Sequence, residues 1–221
     1  MPTPPTAPRP VSNRVARRVR RSIELPPRLL AIDYCICNNC KSIIQATTGE
    51  TPMSREASFR RAMRSLASAV SVISTAAEGR RYGMTATAVA SVSVDPPSLL
   101  VCVNRTASLH APLMARRRFC LNILHADQIE LAQAFGGGRA GDDRFACGAW
   151  REVGGLPCLD GAQANVLCDV DAVFPYATHA IVVGYVTEVR VGDAVAPLIY
   201  QDGRYTVGLG DGVDRVVPIG G

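Results

Sequence analysis

The sequence lacks the motifs that mark most hydrolases and nucleotide-binding enzymes. No run reaches about 18 consecutive apolar residues, so no membrane span and no membrane partner are predicted. No G-x-G-x-x-G follows a predicted strand, and Gly136–Gly138 lack the Lys-Ser/Thr of a phosphate-binding loop. G-x-S-x-G and H-E-x-x-H are absent, and the three histidines are dispersed along the chain. These absences disfavour a hydrolase, a Rossmann nucleotide site and a zinc triad.

Excess positive charge is missing from most of the chain. Residues 1–52 carry eight Lys and Arg against three Asp and Glu, whereas residues 53–221 carry sixteen of each kind. Eight of the 15 prolines also lie within residues 1–52. The sequence therefore predicts two unlike pieces, a disordered basic Pro/Arg-rich extension over 1–52 and a folded domain over 53–221. With 48% hydrophobic residues, the chain can bury a substantial core.

The extension contains two features with competing interpretations. The basic stretch Arg14–Arg21 suits an anionic surface, but no aromatic side chain alternates with its arginines, so no nucleic-acid partner is predicted. The piece also resembles an organellar transit peptide, or translated sequence upstream of a start at Met53. Cys35, Cys37 and Cys40 have neither a fourth cysteine nor a histidine in the same piece, so no metal site is predicted.

The remaining cysteines lie singly among apolar residues. They are Cys102, Cys120, Cys147, Cys158 and Cys168. Their scatter is typical of small core residues rather than of a disulfide framework. A reducing compartment, and therefore a cytoplasmic location, is expected.

Hydrophobic periodicity in residues 53–221 predicts a mainly β domain with a few helices. An opening helix is predicted with an apolar face of Phe59, Ala62, Met63, Leu66, Ala69 and Val70. Tyr82–Val94 alternates as one strand of small side chains, which leaves room for a flat group near the backbone, and Asp95-Pro96-Pro97 ends it. Further strands are predicted at Val70–Thr75, Ser98–Val103, Phe119–Leu124, Gln163–Val170, Ala180–Arg190, Leu198–Tyr200 and Tyr205–Leu209.

Two further helices are predicted between these strands. One ends at Arg116, and the other begins at Asp127, as an N-cap with Glu130 three residues on, and ends at Phe135. Short strands separated by turns indicate a closed or half-closed antiparallel barrel. Because the barrel has few acid–base groups, it is compatible with a cofactor that carries the chemistry, although spacing alone does not identify that cofactor.

Six fragments occur in order between Phe59 and Leu209. They are Phe59–Val70, Gly83–Pro97, Leu100–Ser108, Phe119–Leu124, Asp143–Phe145 and Thr178-His179. In this order they resemble the flavin reductase family, whose fold is the FMN-binding split β-barrel, antiparallel and Greek-key-like. The chain is similar to reductase components of two-component flavin monooxygenases, such as that of 4-hydroxyphenylacetate 3-monooxygenase and those serving pyrimidine-ring oxidation. None of residues 1–52 belongs to the pattern.

The resemblance also implies roles for individual residues. It places Thr85, Ala86 and Thr87 near the flavin ring and ribityl chain, where backbone N–H groups can bond the ring. It places Asn104, Arg105 and Ser108 near the ribityl and phosphate groups, and Phe119 and Asn122 on a flavin-facing strand. His179 matches a histidine near the nicotinamide, and Tyr205 lines the same pocket. The family often has Gly before Asp/Thr-His, whereas Ala177 stands here.

The function implied by the resemblance is that of an NAD(P)H:flavin oxidoreductase. Such an enzyme transfers hydride from NADH or NADPH to FMN or FAD and supplies reduced flavin to a partner monooxygenase. The family also implies a homodimer. Three alternatives stay open: a reductase of a corrinoid or iron chelate, a flavin-binding module without NAD(P)H turnover, and a nucleic-acid protein that uses its basic arm. The residues do not decide between FMN and FAD, or between NADH and NADPH.

Overall fold

The computed structural model describes residues 53–193 and 195–207. The predicted extension over 1–52, with Cys35, Cys37 and Cys40, lies outside these residues, so the domain boundary stays a prediction. Among the described residues, the helices are too short and too polar for any of them to cross a membrane.

Within the described residues the chain is mostly β, as predicted. Three α-helices are present: α1 (Arg55–Arg64), α2 (His110–Arg116) and α3 (Ile129–Gln133). The strands are β1 (Ser68–Ala69), β2 (Ser71–Ala77), β3 (Arg80–Ala86), β4 (Val89–Val94), β5 (Pro97–Asn104), β6 (Arg118–Ile123), β7 (Trp150–Val153), β8 (Leu156–Leu159), β9 (Ala164–Tyr176), β10 (His179–Val191), β11 (Leu198–Gln201) and β12 (Arg204–Val207). A π-helical turn (Ala134–Gly138) and a 3-10 helix (Gly141–Ala146) lie between α3 and β7.

The principal sheet curls into a barrel that is split between β3 and β4. Its seven antiparallel strands follow the order β3-β2-β6-β9-β10-β5-β4, so β3 and β4 form opposite edges. Only Thr87 and Ala88 separate these two edges along the chain. Because so short a link spans at most about 11 Å, the sheet must roll until its edges meet. The predicted antiparallel split barrel is therefore the observed fold.

The barrel interior is filled by alternate residues of the central strands. On β5, Leu99, Val101 and Val103 are buried, as expected from a period of two. Phe119 of β6 is also fully buried, and it packs where β10 has Gly184. A Cβ at Gly184 would lie 2.7 Å from Phe119 Cζ, so the ring occupies the space that a side chain would need.

A second apolar cluster lies beside the barrel and supports the segment after α3. Phe135, Phe145 and Trp150 form its aromatic centre, with ring centroids 4.9–5.3 Å apart. Edge-on and tilted rings of this kind add specific packing to the area they bury. The β11–β12 hairpin covers another side of the cluster through Leu198 and Tyr205.

The predicted long strand Tyr82–Val94 is wrong in one respect. Its first half is β3, paired with β2, and its second half is β4, paired with β5. Alternation continues through both halves, so periodicity does not reveal that the chain crosses from one sheet edge to the other between them.

The two predicted helix boundaries also differ from the structure. Helix α1 ends at Arg64, and its apolar face is exposed rather than in the core: Phe59 is 62% accessible. Val70 lies beyond α1 and is fully buried next to β2. Asp127 does not cap α3, because its carboxylate instead contacts His125 Nδ1 at 2.6 Å. The helix begins at Ile129, one residue later than an Asp127 cap would give.

Candidate functional site

An open cleft lies at one end of the barrel, beside the second cluster. It is lined by Met84, Asn104, Ala107, Ser108, Phe135, Gly136, Gly137 and Arg144. These residues come from β3, the end of β5, the turn before α2, the π-helical turn and the 3-10 helix. The cleft therefore forms where five segments converge, as ligand sites commonly do.

Asn104 contributes a buried hydrogen-bond donor to this cleft. Its Oδ1 accepts bonds of 3.0 Å from both the backbone N–H and the hydroxyl of Thr106, which fixes the turn after β5. Those bonds orient the amide, and its Nδ2 has no partner among the described residues although it is buried. Because buried polar groups are normally hydrogen-bonded, this donor is available for an acceptor on a ligand.

Arg144 contributes a second unpartnered donor. Its Nη1 donates to Gly83 O at 2.7 Å and its Nη2 donates to Arg139 O at 2.9 Å, so the side chain joins β3 to the end of the π-helical turn. Its buried Nε has no partner in the described part of the chain. Burial lowers the pKa of the Arg144 guanidinium, which nonetheless stays charged at neutral pH.

A close approach of backbone and aromatic ring shapes one wall of the cleft. A Cβ on Gly83 would lie 2.6 Å from Phe135 Cε1 and 3.3 Å from Ile73 O, so a larger residue would displace the ring. Gly137 adopts φ 118°, a conformation that suits glycine and lets the π-helical turn end beside Phe135. The wall therefore combines an aromatic side chain with bare backbone, a surface suited to a flat ligand.

The three small residues predicted near a flavin ring lie at the edge of β3. Thr85 is buried, and its hydroxyl donates to Ala132 O at 2.7 Å. Ala86 is buried in the barrel core, whereas Thr87 is half-buried in the link to β4. The Thr85 hydroxyl and the Ala86 side chain are thus already occupied, which leaves backbone groups and Thr87 for ligand contacts.

The turn after β5 is held against the start of β10. His179 pairs directly with Asn104 in the sheet, so the two side chains lie on the same face. Arg105 N donates to Thr178 O at 3.0 Å, and Arg105 Nη1 reaches Ala177 O at 3.5 Å. The structure thereby brings His179 and Arg105 next to Asn104, although neither of them lines the cleft.

Ala177 adopts a left-handed conformation with φ 46°. Glycine adopts this region without steric cost, and alanine does not. The backbone turn expected for a glycine at this position is therefore kept, with alanine in it. Beside it, the Thr178 hydroxyl lies 2.9 Å from His179 Nδ1, which fixes the imidazole and leaves its Nε2 edge for another contact.

Three predicted site residues lie elsewhere. Phe119 is fully buried in the barrel core and Asn122 is fully buried among protein hydrogen bonds, so neither side chain lines the cleft, and their contact with a flavin stays a prediction. Side-chain direction on β6 could not be assigned from the strand pattern alone. Tyr205 packs against Tyr200, with ring centroids 5.4 Å apart, and burial raises its pKa to about 12.

Sequence reasoning assigned no role to Arg144 or Phe135. The fragment Asp143–Phe145 belongs to the family pattern, but a role for its arginine depends on the contact with Gly83, which lies 61 residues away along the chain. The pattern of charge and periodicity carries no sign of such a contact.

The residues of the cleft fit a flavin. Two buried donors without acceptors suit the carbonyl oxygens, ring nitrogens or phosphate of such a ligand, and the flat wall suits its ring system. Of the residues predicted to bind the flavin, Asn104 and Ser108 line this cleft, whereas Thr87 lies in the link between β3 and β4.

Comparison with known proteins identifies the family. The sequence pattern described as "flavin reductase like domain" matches residues 63–208, more than half of the chain. The chain belongs to this family. The resemblance to the flavin reductase family is thus confirmed.

This flavin reductase aligns with most of the length of several known relatives. It is 42% identical over 150 residues to the "FADH(2)-dependent resorcinol hydroxylase, reductase component" of Rhizobium sp. (strain MTP-10005), over 66% of this chain and 84% of the relative. It is 40% identical over 154 residues to "FMN reductase (NADH) RutF" of Cronobacter sakazakii, over 69% of this chain and 93% of the relative.

Solved structures share the fold. The Streptomyces globisporus NADH:FAD oxidoreductase SgcE6, in complex with NAD and FAD fragments, superposes with a TM-score of 0.67 at 27% identity, over 72% of this chain and 96% of that one. BorF, the flavin reductase component of a bacterial two-component tryptophan halogenase, has a TM-score of 0.65 at 30% identity, over 70% and 98%.

Proposed function

We propose that this flavin reductase transfers hydride from NAD(P)H to FMN or FAD and supplies the reduced flavin to a partner monooxygenase. The observation that carries the proposal is the buried, unpartnered Nδ2 of Asn104 in a cleft with a flat wall. The relatives named as reductase components and as NADH-dependent FMN reductases support the same function. Their names favour NADH over NADPH.

The protein's part in this reaction is binding and orientation. Bound flavin supplies the hydride-accepting centre, so the chain needs no nucleophile of its own. Asn104 would donate to an acceptor on the flavin, and Ser108 would offer a hydroxyl at the cleft mouth. The backbone near Thr87 would face the ring system. His179, on the same face as Asn104, would contact the nicotinamide and help to orient it for hydride transfer.

The enzyme is further proposed to act as a homodimer. Phe174 pairs with Ile181 and Ile181 with Cys102, which places the three on the outer face of the barrel. No helix of the described residues covers Phe174, which is 57% exposed, and Tyr176 on the same face is 75% exposed. A second copy burying this face would place a partner surface beside His179.

Sedimentation velocity tests the dimer. We expect the wild-type protein to sediment as a dimer and Phe174→Asp to sediment as a folded monomer. A monomeric wild type would contradict the proposal.

The monooxygenase partner and the cytoplasmic location rest on different grounds. A partner is supported by relatives that are components of two-component systems. A cytoplasmic location is supported by five cysteines that are all free thiols in the described residues.

Steady-state oxidation of NADH and NADPH, with FMN and FAD added in turn, tests the reaction. Rapid loss of nicotinamide absorbance that depends on flavin is the expected result, and it also establishes both preferences. Tight flavin binding without turnover would instead favour a flavin-binding module.

A further inference from the structure

Arg144 is a cation in the cleft whose charge no carboxylate of the described residues neutralises. Its side chain is partly buried, and its two Nη atoms are taken up by the neutral carbonyls of Gly83 and Arg139. Among the described residues it forms no ion pair: the neighbouring carboxylate Asp142 pairs with Arg81 at 2.7 Å, and Asp143 is exposed.

Such an arrangement is costly unless a ligand completes it. Removing a guanidinium from water without a counter-charge is unfavourable, and a buried N–H without an acceptor adds to that cost. Arg144 Nε is this kind of donor, and Arg144 lines the same cleft as Asn104. The missing partner is therefore an anionic or strongly accepting atom of whatever occupies the cleft.

The two Nη bonds show why an arginine, rather than a lysine, stands at this position. They hold the guanidinium plane against β3 and the π-helical turn, so the side chain is already ordered before a ligand arrives. Because arginine presents several donors in a rigid fork, it can hold two carbonyls and still offer a third donor. The aromatic ring of Phe135 lies 6.0 Å from the Arg144 Cζ and flanks the charge.

We propose that Arg144 is a flavin-binding residue that supplies the positive charge for an anionic acceptor of the flavin. The proposal rests on the proposed function and deepens it. Two parts of a flavin share the required chemistry: the phosphate of FMN or FAD, and the edge of the ring that gains negative charge on reduction. Either part could accept the hydrogen bond of Arg144 Nε and balance the charge of the guanidinium.

Equilibrium flavin binding by the full chain, measured as quenching of flavin fluorescence, tests this role independently of turnover. The variants are Arg144→Met, which removes the charge, and Arg144→Lys, which keeps it. Arg190→Met is the control, because Arg190 pairs with Glu188 on β10 outside the cleft. Thermal unfolding of each variant checks that it is folded.

We expect Arg144→Met to weaken FMN binding about 10- to 100-fold, the range of a charge-assisted bond, with the control unchanged. Arg144→Lys should lose less than Arg144→Met. Riboflavin separates the two sources of anion: weakening for FMN alone assigns the phosphate, and equal weakening for both assigns the ring.

Two results would overturn the assignment. One is a folded Arg144→Met protein with wild-type affinity for FMN and riboflavin. The other is an equal loss for Arg144→Met and Arg144→Lys in step with lowered thermal stability, which would make the residue a structural brace; Arg144→Lys decides if Arg144→Met does not fold. A wild-type protein that binds no flavin would instead refute the proposed function, and this inference with it.

Discussion

Asn122 is expected to stabilise the barrel without contributing to ligand binding. Its Nδ2 donates to Val72 O at 2.9 Å and to Ser74 Oγ at 3.0 Å. Its Oδ1 accepts from Leu159 N at 2.8 Å and from Asn165 Nδ2 at 2.9 Å. One buried amide thus joins β2, β6, β8 and β9.

Replacing it by alanine should be severely destabilising. Leu159 N would lose its acceptor at a buried position, and an unsatisfied buried group costs about 1–3 kcal/mol. Asn165 Nδ2 keeps a second bond to Leu159 O at 3.1 Å, so its loss is smaller. Adding the remaining lost bonds and the small cavity, we expect Asn122→Ala to lower the free energy of unfolding by about 3–5 kcal/mol.

Urea unfolding followed by circular dichroism measures that loss, and flavin fluorescence quenching measures binding by the folded variant. Asn104→Ala is the matched control, because it removes the same amide from a cleft residue. We expect it to lower stability by only about 1 kcal/mol, through loss of the Thr106 bonds, and to weaken flavin binding severalfold.

The reverse pattern would refute this reasoning. If Asn122→Ala stayed nearly as stable as the wild type but lost flavin affinity, Asn122 would face the ligand, as the family resemblance implied.

Four further predictions follow from other parts of the structure. His179→Ala should raise the KM for NAD(P)H more than that for flavin in steady-state assays, and equal increases would remove its nicotinamide role. Ala177→Gly should raise the free energy of unfolding by about 0.5–1 kcal/mol, because it relieves the left-handed φ of 46° at some entropic cost; lower stability would contradict this. Burial raises the pKa of Tyr205 from 10.0 to about 12, so its contribution to the free energy of unfolding is complete below about pH 10 and is lost as the pH rises towards 12. In urea unfolding, Tyr205→Phe should reduce the fall in stability between pH 10 and 12, and an unchanged fall would count against this assignment. Deleting residues 2–52 should leave flavin turnover and thermal stability largely intact, whereas an inactive or unfolded product would show that the extension belongs to the fold.

Much of the fold was predictable because it is local. The alternation in Ser98–Val103 and Phe119–Leu124 identifies β5 and β6 to within one residue at each end. The polar turn after Asn104 identifies the start of α2 for the same reason. Periodicity and turn chemistry depend on neighbours in sequence, and these elements need nothing more.

The features that the sequence could not determine depend on contacts between distant segments. The break at Thr87 separates two sheet edges that exist only once the barrel has closed. The direction of the Asn122 side chain on β6 likewise depends on the packed barrel, in which it lies among buried hydrogen bonds. Arg144 is significant because a backbone carbonyl 61 residues away accepts its bond. Charge and spacing along the chain do not record such contacts.

Anaerobic mixing of the protein, oxidised flavin and NADH tests the central claim most directly. The account predicts that NADH and oxidised flavin are consumed together in equimolar amounts, as followed by their absorbance. It also predicts that Asn104→Ala slows the reaction at low flavin concentration. If flavin bound to the protein kept its absorbance while NADH stayed unconsumed, the chain would bind flavin without reducing it, and the proposed hydride transfer would be wrong.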